Sequence, residues 1–397
     1  MRISSVRCYL AGARNRSGYH AGSALIRVET DEELVGHGEA LLGLFCGEAA
    51  VAITRYYEPL LIGADPQDLD GLWQRMFDAS VWWGRAGAAT SVLGAIEIAL
   101  WDIAGKRANR PCYQLLSDGD RRNVPVYASL GAVPATPERI PELVHQLQAE
   151  QFRGLKLGLQ FGDAAGIEFF SPRGSELLRL LEATLSAIRT AAGDDFVIGV
   201  DGHMGGIPDP MPRDEALAVA NVLGEFGVNF FEEPLSYLDP AGYAWLRDRS
   251  PVRIAGGESL ALQAGFQAFV DIGALDILQP DMNYVGGLGQ GLAIARLATE
   301  HGLSMIPHAW CAGPGFMANV HLALACGVVE RLEMARELTD FQEASLIEKP
   351  VIRDGVLLAP TAPGLGIDFA PGLIEHFPFP AGLAERGSGL VTLPDQA

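Results

Sequence analysis

Hydrophobic and polar positions change rhythm twice along this 397-residue chain. Residues 23–30 (SALIRVET) alternate like a half-buried strand, and residues 32–38 supply a turn before another short strand. From Gly47 the spacing becomes helical, through residues 51–62, 72–76 and 88–106. Strands first and helices later predict a small α+β module over residues 1–123. From Val124 to residue 350, short β-rich runs recur, each followed by a helical stretch. They are residues 124–131, 153–159, 196–201, 228–234, 253–258, 275–281, 303–308 and 331–335. After Val351 the chain turns rich in Pro and Gly, and residues 351–397 are read as a segment that returns to the N-terminal module.

Strand–helix units at about 30 residues each imply right-handed crossovers and a parallel sheet. Eight of them closing on themselves make a (β/α)8-type barrel of about 200–250 residues. The alternative is an open doubly wound sheet. Its dinucleotide fingerprint is missing, because Gly286, Gly287, Gly289 and Gly291 do not fit GxGxxG and lack the acidic partner.

Composition narrows the partners. Lys plus Arg number 29 and Asp plus Glu 49, a net charge of −20. Such a surface repels phosphate backbones and anionic lipid, so nucleic acid and membrane surfaces are not expected partners. An anionic small molecule stays admissible, since a cleft can reverse the local sign. Hydrophobic residues at 49% against 20% charged place the chain among globular proteins. Five dispersed cysteines without a CxxC pair read as reduced thiols in a cytoplasmic protein. The N-terminal stretch shows no signal-peptide h-region, and no apolar run reaches about 18 residues, so no membrane span is expected. The most apolar stretch, residues 92–104, carries Glu97 and Asp102 and reads as a buried helix.

Acidic side chains and one imidazole end successive predicted strands: Asp201, Glu232 with Glu233, Glu258, Asp281 and His308. In a parallel barrel those ends meet at one face, where active sites lie. Three converging carboxylates need a cation to stay ionised. Oxygen-only ligands without Cys or paired His favour a hard ion, with Mg²⁺ the default. Asp201, Glu232 and Glu258 are the candidate ligands. Alternation sends Glu232 and Glu233 to opposite faces, and Glu232, one residue further from the turn at Pro234, is assigned to the metal. Asp281 beside His308 would fix the tautomer and make that imidazole a usable proton carrier.

The pattern resembles the enolase superfamily, in its mandelate racemase-like branch, over nearly the whole chain. The matching stretches are residues 91–106 (SVLGAIEIALWDIAGK), 230–235 (FFEEPL), 254–259 (IAGGES), 276–291 (DILQPDMNYVGGLGQG) and 305–315 (MIPHAWCAGPG). The resemblance implies an α/β fold: a modified TIM barrel, (β/α)7β, with an α+β capping domain formed by the N-terminal region and the C-terminal tail. It implies abstraction of a proton α to a carboxylate through a Mg²⁺-stabilised enediolate. It also implies a homo-oligomer, a dimer or an octamer.

Related enzymes usually carry Lys-x-Lys on the second strand, the second Lys acting as a base. Here residues 154–158 read GLKLG: Lys156 matches the first Lys and Gly158 stands in place of the second. Lys156 keeps an electrostatic role toward the substrate carboxylate. Asp201-Gly202-His203 offers a replacement base, an arrangement similar to that of galactonate dehydratase-type acid-sugar dehydratases. Dehydration needs one group to take the C2 proton and another to protonate the leaving C3 hydroxyl. His203 and His308 supply both, preferably as base and acid in that order, although the sequence leaves the reverse open. Candidate substrate contacts are His20 and Trp83 (with Trp82) from the capping module, and Tyr284, Trp310 and Glu333 from the barrel. The reading is a Mg²⁺-dependent lyase converting an aldonate or aldarate to a 2-keto-3-deoxy acid. The alternatives are a sugar-lactone cycloisomerase, an epimerase or racemase, and a metal-binding scaffold without activity.

Overall fold

The computed structural model describes residues 1–14, 20–117, 121–162, 169–310 and 313–380. The N-terminal region is an antiparallel sheet of Ile3–Arg14, His20–Thr30 and Val35–Ala40, in that order. Helices Gly43–Leu61, Leu69–Ser80 and Ala88–Ala108 pack with it around their own core. The sequence pattern pointed to the second and third strands and missed the first.

Eight parallel strands follow: Asn123–Leu130, Gly154–Gly158, Val197–Asp201, Phe230–Glu232, Arg253–Gly256, Ile277–Leu278, Ser304–Met305 and Leu332–Ala335. Seven fall inside the predicted runs, and the first begins one residue before its run. Neighbours pair in chain order, and the eighth pairs with the first. A parallel bridge between Met305 and Val329 closes the ring beside the seventh strand. A helix separates each consecutive pair of strands, and the eighth leads only into the short helix Asp340–Ser345. That is the (β/α)7β arrangement. Tyr127, Phe230, Ala255, Ile277 and Ile306 fill the barrel interior as one fully buried cluster beneath its mouth.

Helix Ala88–Ala108 joins the two parts. Among the described residues it is the one helix long and apolar enough to cross a membrane, and 83% of its apolar window is buried inside the protein. Its carboxylates explain the burial. Glu97 accepts from the backbone N–H groups of Leu288 and Gly289, each at 2.8 Å, and from Trp101 Nε1 at 2.8 Å. Those amides open helix Leu288–Glu300, where an acceptor satisfies orphan donors and faces the positive end of the dipole. Asp102 accepts from Lys106 Nζ at 2.7 Å, from the His37 amide at 2.9 Å and from the Leu365 amide at 2.8 Å. Glu39 does the same for the seventh βα loop, accepting from the Gly313 and Gly315 amides at 3.0 and 3.1 Å. Glu97 and Glu39 thus clamp the capping part to barrel backbone, and Asp102 ties it to the returning C-terminal segment.

The C-terminal segment touches both parts. The hairpin Ile352–Arg353 and Val356–Leu358 pairs antiparallel with the start of the first barrel strand. Further on, Gly12 donates to the Phe377 carbonyl at 2.9 Å and Arg27 to the Phe369 carbonyl at 2.9 Å.

Two outcomes follow. Glu97→Ala leaves buried donors without an acceptor, at about 1–3 kcal/mol each. Urea unfolding should show a loss of at least about 3 kcal/mol, and a loss below about 1 kcal/mol would mean the cap is held elsewhere. His321 is fully buried, accepts from the Tyr113 amide at 3.1 Å, and burial pushes its imidazole down to about 4. Unfolded imidazole titrates near 6.5, so the unfolded chain takes up this proton first as pH falls. The contribution is whole above pH 6.5 and is lost on the way down to about 4. Between pH 7 and pH 5 it should cost about 2 kcal/mol. Urea titrations at both pH values should show that difference shrink in His321→Gln, and an unchanged difference would contradict this.

Candidate active site

Strand register assembles the site. Gly158 pairs with Asp201, and Asp201 pairs with Glu232, so the ends of the second, third and fourth strands lie level. Glu258 follows the fifth strand in the next loop. Ligand atoms of Asp201, Glu232 and Glu258 all lie within 4.8 Å of one another. Glu233 faces the other way, under the loop after the third strand, where the Gly205 amide donates to Oε2 at 3.2 Å.

Lys156 points into the carboxylates. Its Nζ lies 2.8 Å from Glu232 Oε1, 2.9 Å from Asp201 Oδ2 and 3.0 Å from Glu333 Oε1. Burial opposes its charge, but Asp201, Glu232 and Glu333 outweigh that and hold the ammonium well above its ordinary range. Burial also works against Asp201, yet His203 and Lys156 bring it down to about 2. Glu333 likewise sits at about 2, with Lys156 and His308 overcoming its burial. Glu232 goes the other way. Burial and the adjacent Asp201 push it up to about 8, so without a divalent ion the cluster keeps a proton.

Asp281 Oδ2 lies 2.7 Å from His308 Nδ1. Its Oδ1 accepts from the Asn283 amide at 2.9 Å, Asn283 Nδ2 at 2.8 Å and Asn319 Nδ2 at 3.1 Å. That grip fixes the imidazole with Nε2 toward Glu258, 3.5 Å away. Burial works against a charged His308. Glu258, Glu333 and Asp281 together raise it well above the ordinary imidazole value.

His203 comes from the other side. Its Nε2 is 3.2 Å from Asp201 Oδ2, and half of its side chain is exposed. A Cβ built on Gly158 would lie 3.4 Å from His203 Cε1 and 3.5 Å from Nδ1. The imidazole therefore stands in van der Waals contact with the point where a second-strand side chain would start, which also lies 2.9 Å from the Gly131 carbonyl.

Lys156, Asp201, His203, Glu258, His308, Trp310 and Glu333 line one cavity of about 320 Å³. Glu232 and Asp281 lie fully buried behind its wall. Trp83 and Tyr284 are not on it. Trp83 packs edge-on against Tyr56 with ring centroids 5.4 Å apart and stands 52% exposed, and Trp82 is 95% exposed. Tyr284 is carried off because Asp281 caps the short helix Met282–Val285, which packs on helix Ala88–Ala108. His20 begins the second cap strand, and its side chain lies outside the described residues.

The sequence reading missed several groups. Gln279 Nε2 donates to Glu232 Oε2 at 2.7 Å. It stands two residues before Asp281, so period-two alternation was an available signal. Ser129 and Gln160 line the cavity from the first two βα units, and Leu41, Leu44 and Phe45 form an apolar wall from the capping part.

A capped barrel with this mouth defines a class of enzyme architecture. Residues 139–372 match the family model described as enolase C-terminal domain-like, and residues 16–117 the mandelate racemase / muconate lactonizing enzyme N-terminal domain. The chain belongs to the mandelate racemase / muconate lactonizing enzyme family of the enolase superfamily, whose members typically use a divalent metal. It is 31% identical to the arabinonate dehydratase of Saccharolobus solfataricus, over 88% of this chain and 89% of that protein. It is 29% identical to the D-galactarolactone cycloisomerase of Agrobacterium fabrum, over 96% and 100%. Among solved structures it resembles the 3,6-anhydro-D-galactonate cycloisomerase from Zobellia galactanivorans, with a TM-score of 0.83 and 26% identity over 95% and 99% of the two chains.

The raised Glu232 makes metal binding visible. At pH 7, titrating in a divalent ion should release about one proton per site, read by calorimetry in buffers of different ionisation enthalpy. Binding without proton release would contradict this account of the cluster. Lys156→Met should destabilise the metal-free protein by about 3–5 kcal/mol, with part of the loss restored by the divalent ion. An unchanged melting curve would count against the shared ammonium.

Proposed function

We propose that this chain is a Mg²⁺-dependent lyase that dehydrates a sugar acid, an aldonate or aldarate, to a 2-keto-3-deoxy acid. One observation carries the reading: the His203 imidazole lies against Gly158 and lines the same cavity as a His308 that Asp281 holds. Two imidazoles at one cavity match the two proton transfers of dehydration.

Asp201, Glu232 and Glu258 would hold the metal. Their mutual approach and their all-oxygen donor set suit a hard divalent ion. When bound, Mg²⁺ supplies positive charge to the substrate carboxylate. Lys156 adds a second positive charge as the enediolate forms. His203 takes the C2 proton, and the C–H electrons move toward the carboxylate. His308 gives its Nε2 proton to the C3 hydroxyl, which leaves as water, and the enol relaxes to the 2-keto acid. Asp281 keeps Nδ1 protonated and the ring oriented. Glu333, bonded to Lys156 and to the Ala309 amide at 3.1 Å, and Trp310 take the remaining substrate contacts, together with His20 of the capping part. Within this reading, residues 1–123 and 351–397 act as the cap, residues 124–350 as the catalytic barrel, and the protein works as a cytoplasmic homo-oligomer.

A second reading has specific support. The full-length likeness to a D-galactarolactone cycloisomerase favours a lactone substrate, from which the β ring oxygen leaves in place of water and opens the ring. The two separate in one experiment. With Mg²⁺ present, a panel of sugar acids and sugar lactones is screened with semicarbazide for 2-keto acids, and by NMR for isomers. Dehydration predicts a 2-keto-3-deoxy product from at least one acid, and His203→Asn should lower that rate by at least about 100-fold. Turnover of a lactone to an open-chain isomer of unchanged mass, with no acid losing water, would replace this reading with the second. Activity of His203→Asn within about tenfold of the parent would remove His203 from the mechanism.

A further inference from the structure

Glu233 is the one acidic strand-end residue near the cluster that the mechanism leaves without a role. It is 3% exposed, and its backbone sits at φ +40, a left-handed value. A buried carboxylate in a strained backbone needs an account. The loop that carries His203 lies directly on it. Gly202 N donates to the Glu232 carbonyl at 2.8 Å, Met204 N to the Glu233 carbonyl at 3.1 Å, and Gly205 N to Glu233 Oε2 at 3.2 Å. The Tyr237 amide closes the loop by donating to the Gly205 carbonyl at 3.1 Å. His203 itself is left-handed, φ +51, with its amide on Asp201 Oδ1 at 2.9 Å. Gly202 and Gly205 flank it because nothing larger fits. A Cβ on Gly202 would run into the Glu233 carbonyl, and one on Gly205 into Glu233 Oε1 and the Tyr237 ring.

We propose that Glu233 is a positioning residue for His203: its carbonyl and carboxylate hold the loop of residues 202–205 in the left-handed turn that aims the imidazole across Gly158. The inference rests on the reading of His203 as a proton carrier. Glu232 and Glu233 then divide the strand end, one facing the metal cluster and the other fixing the base that works beside it.

The test uses the full-length, Mg²⁺-loaded protein. Glu233→Ala removes the carboxylate that accepts from the Gly205 amide and leaves the carbonyl that accepts from Met204. Gly205→Ala disturbs the same contact from the loop side, and Glu233→Gln keeps an acceptor oxygen in place. Glu233→Ala and Gly205→Ala should each lower kcat by about 10–100-fold with KM and Mg²⁺ affinity within about threefold. Glu233→Gln should stay within about threefold of the parent. The imidazole ¹⁵N resonances of His203, assigned by their loss in His203→Asn, should move toward those of free imidazole in the two alanine variants and stay in place in Glu233→Gln. Unchanged kcat and unchanged resonances in both alanine variants would overturn the proposal. A tenfold loss of Mg²⁺ affinity would also overturn it, by placing Glu233 in the metal site. If Glu233→Ala fails to fold, Gly205→Ala and Glu233→Gln decide. If no sugar acid is turned over, the functional reading fails on its own, and the His203 resonances still uphold or overturn the positioning role.

Discussion

Carboxylates that end successive barrel strands cannot share one cavity unless positive charge shares it with them. This constraint organises the mouth of the barrel. Lys156 satisfies it in part, lying within 3.0 Å of Asp201, Glu232 and Glu333. The unmet part appears in Glu232, which burial and Asp201 drive up to about 8. A divalent ion at Asp201, Glu232 and Glu258 would take over the neutralisation that a retained proton otherwise supplies. On a chain of net charge −20, Lys156 together with such an ion would supply the positive charge that an anionic substrate needs.

The same logic of buried carboxylates builds the cap. Glu39, Glu97 and Asp102 each accept backbone amides from a segment distant in sequence. Two of these contacts sit at helix N-terminal turns, where orphan amides and the helix dipole favour an anion. Docking the cap places Leu41, Leu44 and Phe45 over the charged floor of the cavity. The stability of the cap and the enclosure of the site therefore share a cause.

Much of this was legible in the sequence, for physical reasons. Parallel strands buried on both faces read as short apolar runs, and each of the eight ends near a turn. The strand-end chemistry stood out because Asp, Glu and His are rare in such runs. The first strand, Ile3–Arg14, was not legible, because its exposed positions fall irregularly between Ser4 and Arg14. Asn319 grips Asp281 from a helix 38 residues away, and no local pattern announces such a pair. Leu41, Leu44 and Phe45 look like ordinary core residues until the cap is docked. Tyr284 misled for the opposite reason. It follows the key Asp281 closely in sequence, but the helix that Asp281 caps turns it toward helix Ala88–Ala108. Glu232 and Glu233 were separable by alternation alone, yet what Glu233 holds became visible only with the loop of residues 202–205 in place.

In the proposed mechanism two imidazoles divide the proton transfers, and His203 takes the proton from C2. Hydrogen exchange at C2 in D₂O, followed by NMR on a substrate, tests it most directly when His203→Asn and His308→Asn are compared. The account predicts that His308→Asn still exchanges the C2 hydrogen without losing water, and that His203→Asn does neither. Exchange that persists in His203→Asn and vanishes in His308→Asn would contradict it.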